Sequence, residues 1–307
     1  MKKLLSLVLL VAVVLCLASA SAFASVEKPK VGFTVMVMNN PFFVAMYDAV
    51  KEEVDKLGGE VLVVDGNMDV QKQTAGVEDM IRQKIDFLLF NPVDSDAGEA
   101  SVKAAKEAGI PVICLDADSK GPRDMFIVSD NTLAGELCAR YTVDRLGGKG
   151  NVVLISGNPV SSTRMRYEGV MKVLQGNPDI KIVSEQNGEG LLERGMAVME
   201  NILQAQPKID AVIALNDPMG LGALSAIEAA GREKEMFVCG VDGSPDALTA
   251  ILEGKGYAMS SAQEPARIAR MGVEYGMKIL KGEKIDETEI FVPVKTITAE
   301  NAKDFHW

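Results

Sequence analysis

Histidine is almost missing from this chain: one residue in 307, His306, next to the end. That scarcity removes Ser-His and Cys-His nucleophile pairs and histidine–metal centres from consideration. Cysteine is nearly as rare, with four residues and neither a CxxC nor a zinc spacing among them. Aromatic residues make up 5% of the chain, so rings beside a cluster of polar residues stand out. Positive charge is in deficit: 32 Lys and Arg against 43 Asp and Glu give a formal charge of -11. A chain of that sign suits neither nucleic acid, whose phosphates demand a basic face, nor an anionic membrane surface. Also absent are GxxxxGK[ST], GxSxG and HExxH. Gly220-Leu221-Gly222-Ala223-Leu224-Ser225 imitates a dinucleotide fingerprint, but it ends in Ser and lies inside a helix start rather than before one. Asp116 and Asp118, beside Lys120 and Arg123, read as loop charge rather than as a metal pair.

The longest apolar run lies at the start. Lys2 and Lys3 precede an apolar core over 4–17, and Ala22-Phe23-Ala24 is a small-x-small cleavage site. Residues 1–24 therefore read as a secretory signal peptide. The run falls short of the roughly 20 residues that a membrane span needs. Cys16 follows Leu15, where a lipid-attachment cysteine wants a small residue. Export to the periplasm is the expectation, and loss of two lysines takes the charge from -11 to -13. Of the remaining cysteines, Cys114 and Cys239 lie in apolar runs and read as core, while the odd count with Cys138 leaves at least one free thiol.

From residue 30 onward short apolar runs alternate with helical periodicity. Strands are predicted over 31–38, 60–65, 87–90, 111–115 and 125–128, with helices at about 41–57, 70–84, 97–108 and 132–146. After Gly147-Gly148-Lys149-Gly150 the pattern restarts, with strands over 152–155, 180–184, 211–215 and 236–241 and helices over 165–174, 191–204 and 219–230. Such βα repetition implies α/β lobes with parallel sheets. A strand over 257–262, a helix over 266–280, a strand over 290–294 and a polar tail ending at Trp307 complete the chain. If that last helix returns to the first lobe, the chain crosses between lobes more than once, as a closing hinge requires.

Polar residues close equivalent strands in the two halves: Asn40, Asn91 and Asp116, then Arg166, Asn216 and Asp242. The gaps match, with 91−40 = 51 and 116−91 = 25 against 216−166 = 50 and 242−216 = 26. The carboxyl edge of a parallel sheet is where ligands bind. Asn39-Asn40-Pro41-Phe42-Phe43 puts two rings at that edge, with Asn40 as N-cap and Pro41 as first helical residue. Phe43 continues the helix's buried stripe, while Phe42 lies roughly 100° off it. The rings either cap the local core or offer a platform to a ligand with an apolar face. With Gln263, this set mixes donors and acceptors as a polyhydroxylated ligand needs, and it holds no obvious nucleophile. Taken singly, Asp116, Asp242, Asn91 and Asn216 fit turns or caps, and Arg166 fits a solvated helix face.

In these motifs the chain resembles the periplasmic sugar-binding proteins of type I fold, and within them the ribose-binding group that serves bacterial ABC transporters. The resemblance spans about residues 30–294 and rests on the Asn39–Phe43 stretch, Asn91-Pro92-Val93-Asp94-Ser95-Asp96-Ala97, Ile110-Pro111-Val112-Ile113-Cys114-Leu115-Asp116 and Ser129-Asp130-Asn131. In the second half it rests on Arg164-Met165-Arg166, Asn216-Asp217, Gly240-Val241-Asp242-Gly243 and Gln263. It implies two Rossmann-like lobes joined by a three-strand hinge: residues 25–129 with 264–291, and residues 130–263 with 292–307. It implies that Phe42 and Phe43 sandwich a sugar ring. It implies hydroxyl contacts from Asn40, Asn91, Asp116, Arg166 (with Arg164 as fallback), Asn216, Asp242 and Gln263. A monosaccharide or polyol ligand, an ABC permease, a monomeric state and no cofactor, metal or catalysis are the corresponding expectations. A chemoreceptor is a further partner on this reading; a carboxylate-based glycosidase using Asp116 and Asp242, and a repressor core, are the rivals. The chain departs from the ribose-type pattern at Ala117, in place of an arginine, at Val241, in place of an aromatic, and near Gly190-Leu191-Leu192, where another aromatic is expected. These departures favour a different pentose, a hexose or a sugar alcohol.

Overall fold

The structure is a computed structural model and describes residues 28–307. The expected signal peptide, with Cys16, lies outside the described residues. The first sheet contains β1 (Lys30–Val35), β2 (Glu60–Asp65), β3 (Phe87–Phe90), β4 (Val112–Leu115), β5 (Met125–Ser129) and β11 (Glu289–Val292). It runs β11-β5-β4-β3-β1-β2 with all neighbours parallel. The second contains β6 (Gly150–Ser156), β7 (Ile180–Asn187), β8 (Ala211–Ala214), β9 (Phe237–Asp242), β10 (Tyr257–Ala262) and β12 (Lys295–Ile297). It runs β12-β10-β9-β8-β6-β7, the same order, except that β12 is antiparallel to β10.

Helices cover both faces, and β3 shows why the apolar runs are continuous. All four of its residues are buried. Phe87 and Leu89 pack with α1 (Pro41–Lys56) and α9 (Pro265–Leu280). Leu88 and Phe90 pack on the other side with α2 (Val70–Arg82) and α3 (Glu99–Glu107). Alternate residues of a strand face opposite ways, so a strand covered on both sides must be apolar throughout. The second lobe repeats this with α4 (Asn131–Arg145), α5 (Ser161–Gln175), α6 (Leu192–Ala205), α7 (Asp217–Ala229) and α8 (Pro245–Glu253).

The chain passes between lobes three times: at Asp130 between β5 and α4, at Gln263-Glu264 between β10 and α9, and at Pro293-Val294 between β11 and β12. The last crossing corrects the single strand expected over 290–294. Pro293 has no N–H to donate, so the first ladder stops at Val292 and the second starts at Lys295. β1 ends at Val35, short of the expected 38. The Met36 N–H donates to Asn91 Oδ1 (3.2 Å) and the Met38 N–H to Asp65 Oδ1 (3.2 Å), so side chains replace the ladder there. Helix α8 was not anticipated, although Ser244-Pro245 starts it in standard fashion: Ser244 Oγ accepts from the Ala247 N–H. The tail is not a free polar segment. A short 3-10 turn (Ala302–Asp304) precedes Phe305, which is buried in the second-lobe core. Cys114, Cys138 and Cys239 are all free and buried.

Candidate functional site

Both sheets point their carboxyl edges at one cleft. On the first-lobe side Asn40 caps α1, its Oδ1 accepting from the Phe42 N–H at 2.9 Å. Asp116, just after β4, sits at φ 64°, and its Oδ1 is buried without a hydrogen-bond partner. On the other side Arg166 projects from α5. Its Nε donates to Asn131 Oδ1 (2.6 Å) and its Nη1 to the Leu215 carbonyl (2.8 Å). The same guanidinium lies 3.5 Å from Asp242 Oδ1 and 4.0 Å from Asp116 Oδ1, so one cation faces a carboxylate from each lobe. Asn216 caps α7, accepting from the Met219 N–H and donating to the Gly190 carbonyl, both at 3.0 Å. Arg164 is exposed and bonds the Pro159 carbonyl instead, which leaves Arg166 as the arginine of the cleft.

These groups line one cavity between the lobes, with room of about 50 Å³ for the centres of water-sized molecules. Asn40, Phe42, Phe43 and Asp116 line it from the first lobe, and Arg166, Asn216 and Asp242 from the second. Asn91 and Gln263 do not line it; they stand one layer behind. Asn91 Nδ2 donates to the Leu115 carbonyl (3.0 Å) and to Asp116 Oδ2 (3.3 Å). Gln263 Nε2 donates to Asp242 Oδ1 at 2.7 Å. Each amide therefore orients the carboxylate in front of it. The expected sandwich is also corrected. Phe42 and Phe43 touch each other edge to face, 5.5 Å apart at 89°, which leaves no slot for a ring between them. They form a corner of the cavity wall while also belonging to the first-lobe core, so core cap and platform are the same residues.

Residues 31–284 match the family described as periplasmic binding protein domain. The chain belongs to this family. The ribose import binding protein RbsB of Escherichia coli (strain K12) is 39% identical over 287 residues, 93% of this chain and 95% of the relative. A solute-binding protein from Actinobacillus succinogenes 130z, solved with bound D-allose, superposes with a TM-score of 0.84 at 29% identity, covering 91% of this chain and 100% of that one. The Caulobacter myo-inositol binding protein, solved with myo-inositol, gives a TM-score of 0.85 at 28% identity, with 90% and 93% covered.

In this periplasmic binding protein the cleft carboxylates are costly to ionise. Burial pushes Asp116 up to about 6, against the pull of Arg166 and the Asn91 hydrogen bond. Burial pushes Asp242 up to about 8; Arg166 opposes this, while Asp217 and Asp116 add to it. Asp217, also raised by burial to about 6, is held by the Ser244 N–H, the Tyr257 hydroxyl and Ser260 Oγ, so its work is internal to the second lobe. Among the described residues no group of three His, Cys, Asp or Glu is placed to hold a metal ion.

Some functional positions were not read from the sequence. Asn131 orients Arg166, and Asn158, Glu189, Leu191 and Met219 line the second-lobe wall where aromatics were expected. Gly135 carried a signal. A Cβ there would lie 2.0 Å from the Arg166 carbonyl oxygen, so only glycine lets α4 approach α5 closely enough to bring Asn131 to the guanidinium. Trp307 is the last such residue: its indole N–H donates to the Asp242 carbonyl (3.0 Å) and its ring meets Phe42 edge to face at 6.1 Å.

Proposed function

We propose that this protein captures a monosaccharide or sugar alcohol between its lobes and delivers it to an ABC permease. The supporting observation is Asp116 Oδ1: buried, without a partner, and on a carboxylate that lines the cavity opposite a guanidinium. A buried acceptor left unmade costs free energy, and a ligand hydroxyl would satisfy it. The amides, carboxylates and Arg166 supply donors and acceptors for further hydroxyls, and the Phe42–Phe43 corner suits the C–H face of a sugar. Site contacts come directly from Asn40, Phe42, Phe43, Asp116, Arg166, Asn216 and Asp242, while Asn91 and Gln263 act through the carboxylates they hold.

Ribose is one ligand found among relatives; D-allose and myo-inositol are others. Ala117 and Val241, which replace a charged donor and a ring, point to a pentose other than ribose, a hexose or a sugar alcohol, although both are buried in the lobe cores and neither lines the cavity. The chain is a binder rather than an enzyme, in keeping with its family. It reaches the periplasm through cleavage of the segment 1–24, acts as a monomer, and its loaded form can also signal to a chemoreceptor. Titration calorimetry against D-ribose, D-allose, myo-inositol and xylitol tests the reading. One-to-one binding of at least one member is expected, and no heat from any of them refutes it.

A further inference from the structure

We infer that Trp307 is a positioning residue of the site, a strap on its hinge side that favours lobe closure by holding Asp242 and Phe42 at once. The inference rests on the reading of the cleft as a ligand site, but its physical basis is independent of ligand identity.

Asp242 needs holding. Its backbone sits at φ 133°, outside the comfortable range of a residue with a side chain, and Gly243 follows at φ 71°. Its carbonyl accepts from the Gln263 N–H at 2.9 Å and from the Trp307 indole at 3.0 Å. Those two donors fix the peptide from which the carboxylate projects towards Arg166. The tail is anchored to this lobe: the 3-10 turn touches α8, and Phe305 packs into the core beside Gly243. Across the cleft the indole meets the Phe42 ring at 89°, on a first-lobe residue that lines the cavity. Trp307 accordingly packs against the cores of both lobes. When the lobes separate, this one side chain must release either the wall of the first lobe or the aspartate of the second. Lobe position and Asp242 orientation are coupled through it.

The test uses the full chain. Trp307→Phe keeps a ring against Phe42 and removes the indole donor; Trp307→Ala removes both. Nitroxide labels on Lys72→Cys and Glu200→Cys, both exposed and on different lobes, report lobe separation without ligand, since the native cysteines are buried. Expected is a shift to longer separations in Trp307→Ala, with Trp307→Phe between it and the unsubstituted chain. The dissociation rate of the tightest binder among the four polyols above should rise about fivefold in Trp307→Phe, the scale of one hydrogen bond, and further in Trp307→Ala. Unchanged distance distributions in both variants overturn the inference, even if melting temperatures fall. If none of the four polyols binds, the ligand reading fails while the distance measurement still decides the strap.

Discussion

Asp116 and Asp242 occupy the same place in two sheets of the same strand order, at the carboxyl ends of β4 and β9. Both are buried and both have unusual backbone angles. Their surroundings differ. Asp116 has one amide behind it, a guanidinium 4.0 Å away and an oxygen with no partner. Asp242 is bonded by Gln263, lies 3.5 Å from Arg166 and shares its lobe with buried Asp217. The walls around them differ likewise: the rings come from the first lobe, while the second contributes Arg166 with the polar Asn158, Ser162, Thr163, Glu189 and Asn216 and no aromatic ring. A duplicated frame thus holds one half that offers an apolar corner and a waiting acceptor, and one half already assembled into a charged network. The cation of the second stands 4.0 Å from the open acceptor of the first.

Removing the shared cation breaks both halves. Arg166→Ala leaves two buried carboxylates without their counter-charge and strips Asn131 and Leu215 of a donor. Loss of detectable binding in calorimetry is expected, with about 3 kcal/mol of stability lost in denaturant titration. The aspartates separate next. Asp116→Ala and Asp242→Ala should each weaken binding at least about tenfold through lost hydroxyl contacts. Only Asp242→Ala should also lower the melting temperature strongly, because it orphans Gln263 Nε2 and the Asp217 N–H, whereas Asn91 keeps the Leu115 carbonyl. Equal melting temperatures for the two variants would show that the two aspartates do not differ in this way.

Acidity sharpens the same contrast. A carboxyl raised by folding binds its proton more tightly in the native chain than in the unfolded one. Stability is therefore greatest where both forms are protonated and declines as pH rises from the ordinary aspartate value of 3.8 to the native value. That decline stops near 6 for Asp116 and near 8 for Asp242. Melting of the ligand-free protein should thus move to lower temperature between pH 5 and 8, and Asp242→Ala should remove most of the fall above about pH 6. A saturating polyol, donating to the carboxylates, should reduce the dependence. The smallest effect concerns closure. Helix α5 has no side-chain cap from its own N-cap residue, Val160, and its first N–H, at Ser161, donates to Ser95 Oγ of the other lobe at 3.0 Å. Ser95→Ala should cost about 1 kcal/mol, read as a few-fold loss of affinity with little change in ligand-free melting.

Much of this was legible in the chain itself. Asn91, Asp116, Asn216 and Asp242 do stand at or just past strand ends, where a parallel sheet leaves its ligand edge, whereas Arg166 reaches the same cleft from within α5, ten residues after its strand ends. Asn40 and Pro41 announced the start of α1 through capping chemistry. The depth of each residue was not legible. Asn91 and Gln263 have the chemistry of ligand contacts, and only packing shows their amides turned to a carboxylate and to backbone. The angle between Phe42 and Phe43 depends on what the core leaves free, and adjacency in sequence carries no trace of it. Trp307 was hidden for a related reason: its partners are 65 residues and more away, and no local periodicity marks a tertiary contact of that range.

The most direct test is a crystal structure of the protein with its tightest-binding polyol. Expected is the ligand between the lobes, one hydroxyl within hydrogen-bond distance of Asp116 Oδ1, another shared by Arg166 and Asp242, and the C–H face against Phe42. A ligand bound outside the cleft, or one that leaves Asp116 Oδ1 without a donor, would contradict the claim.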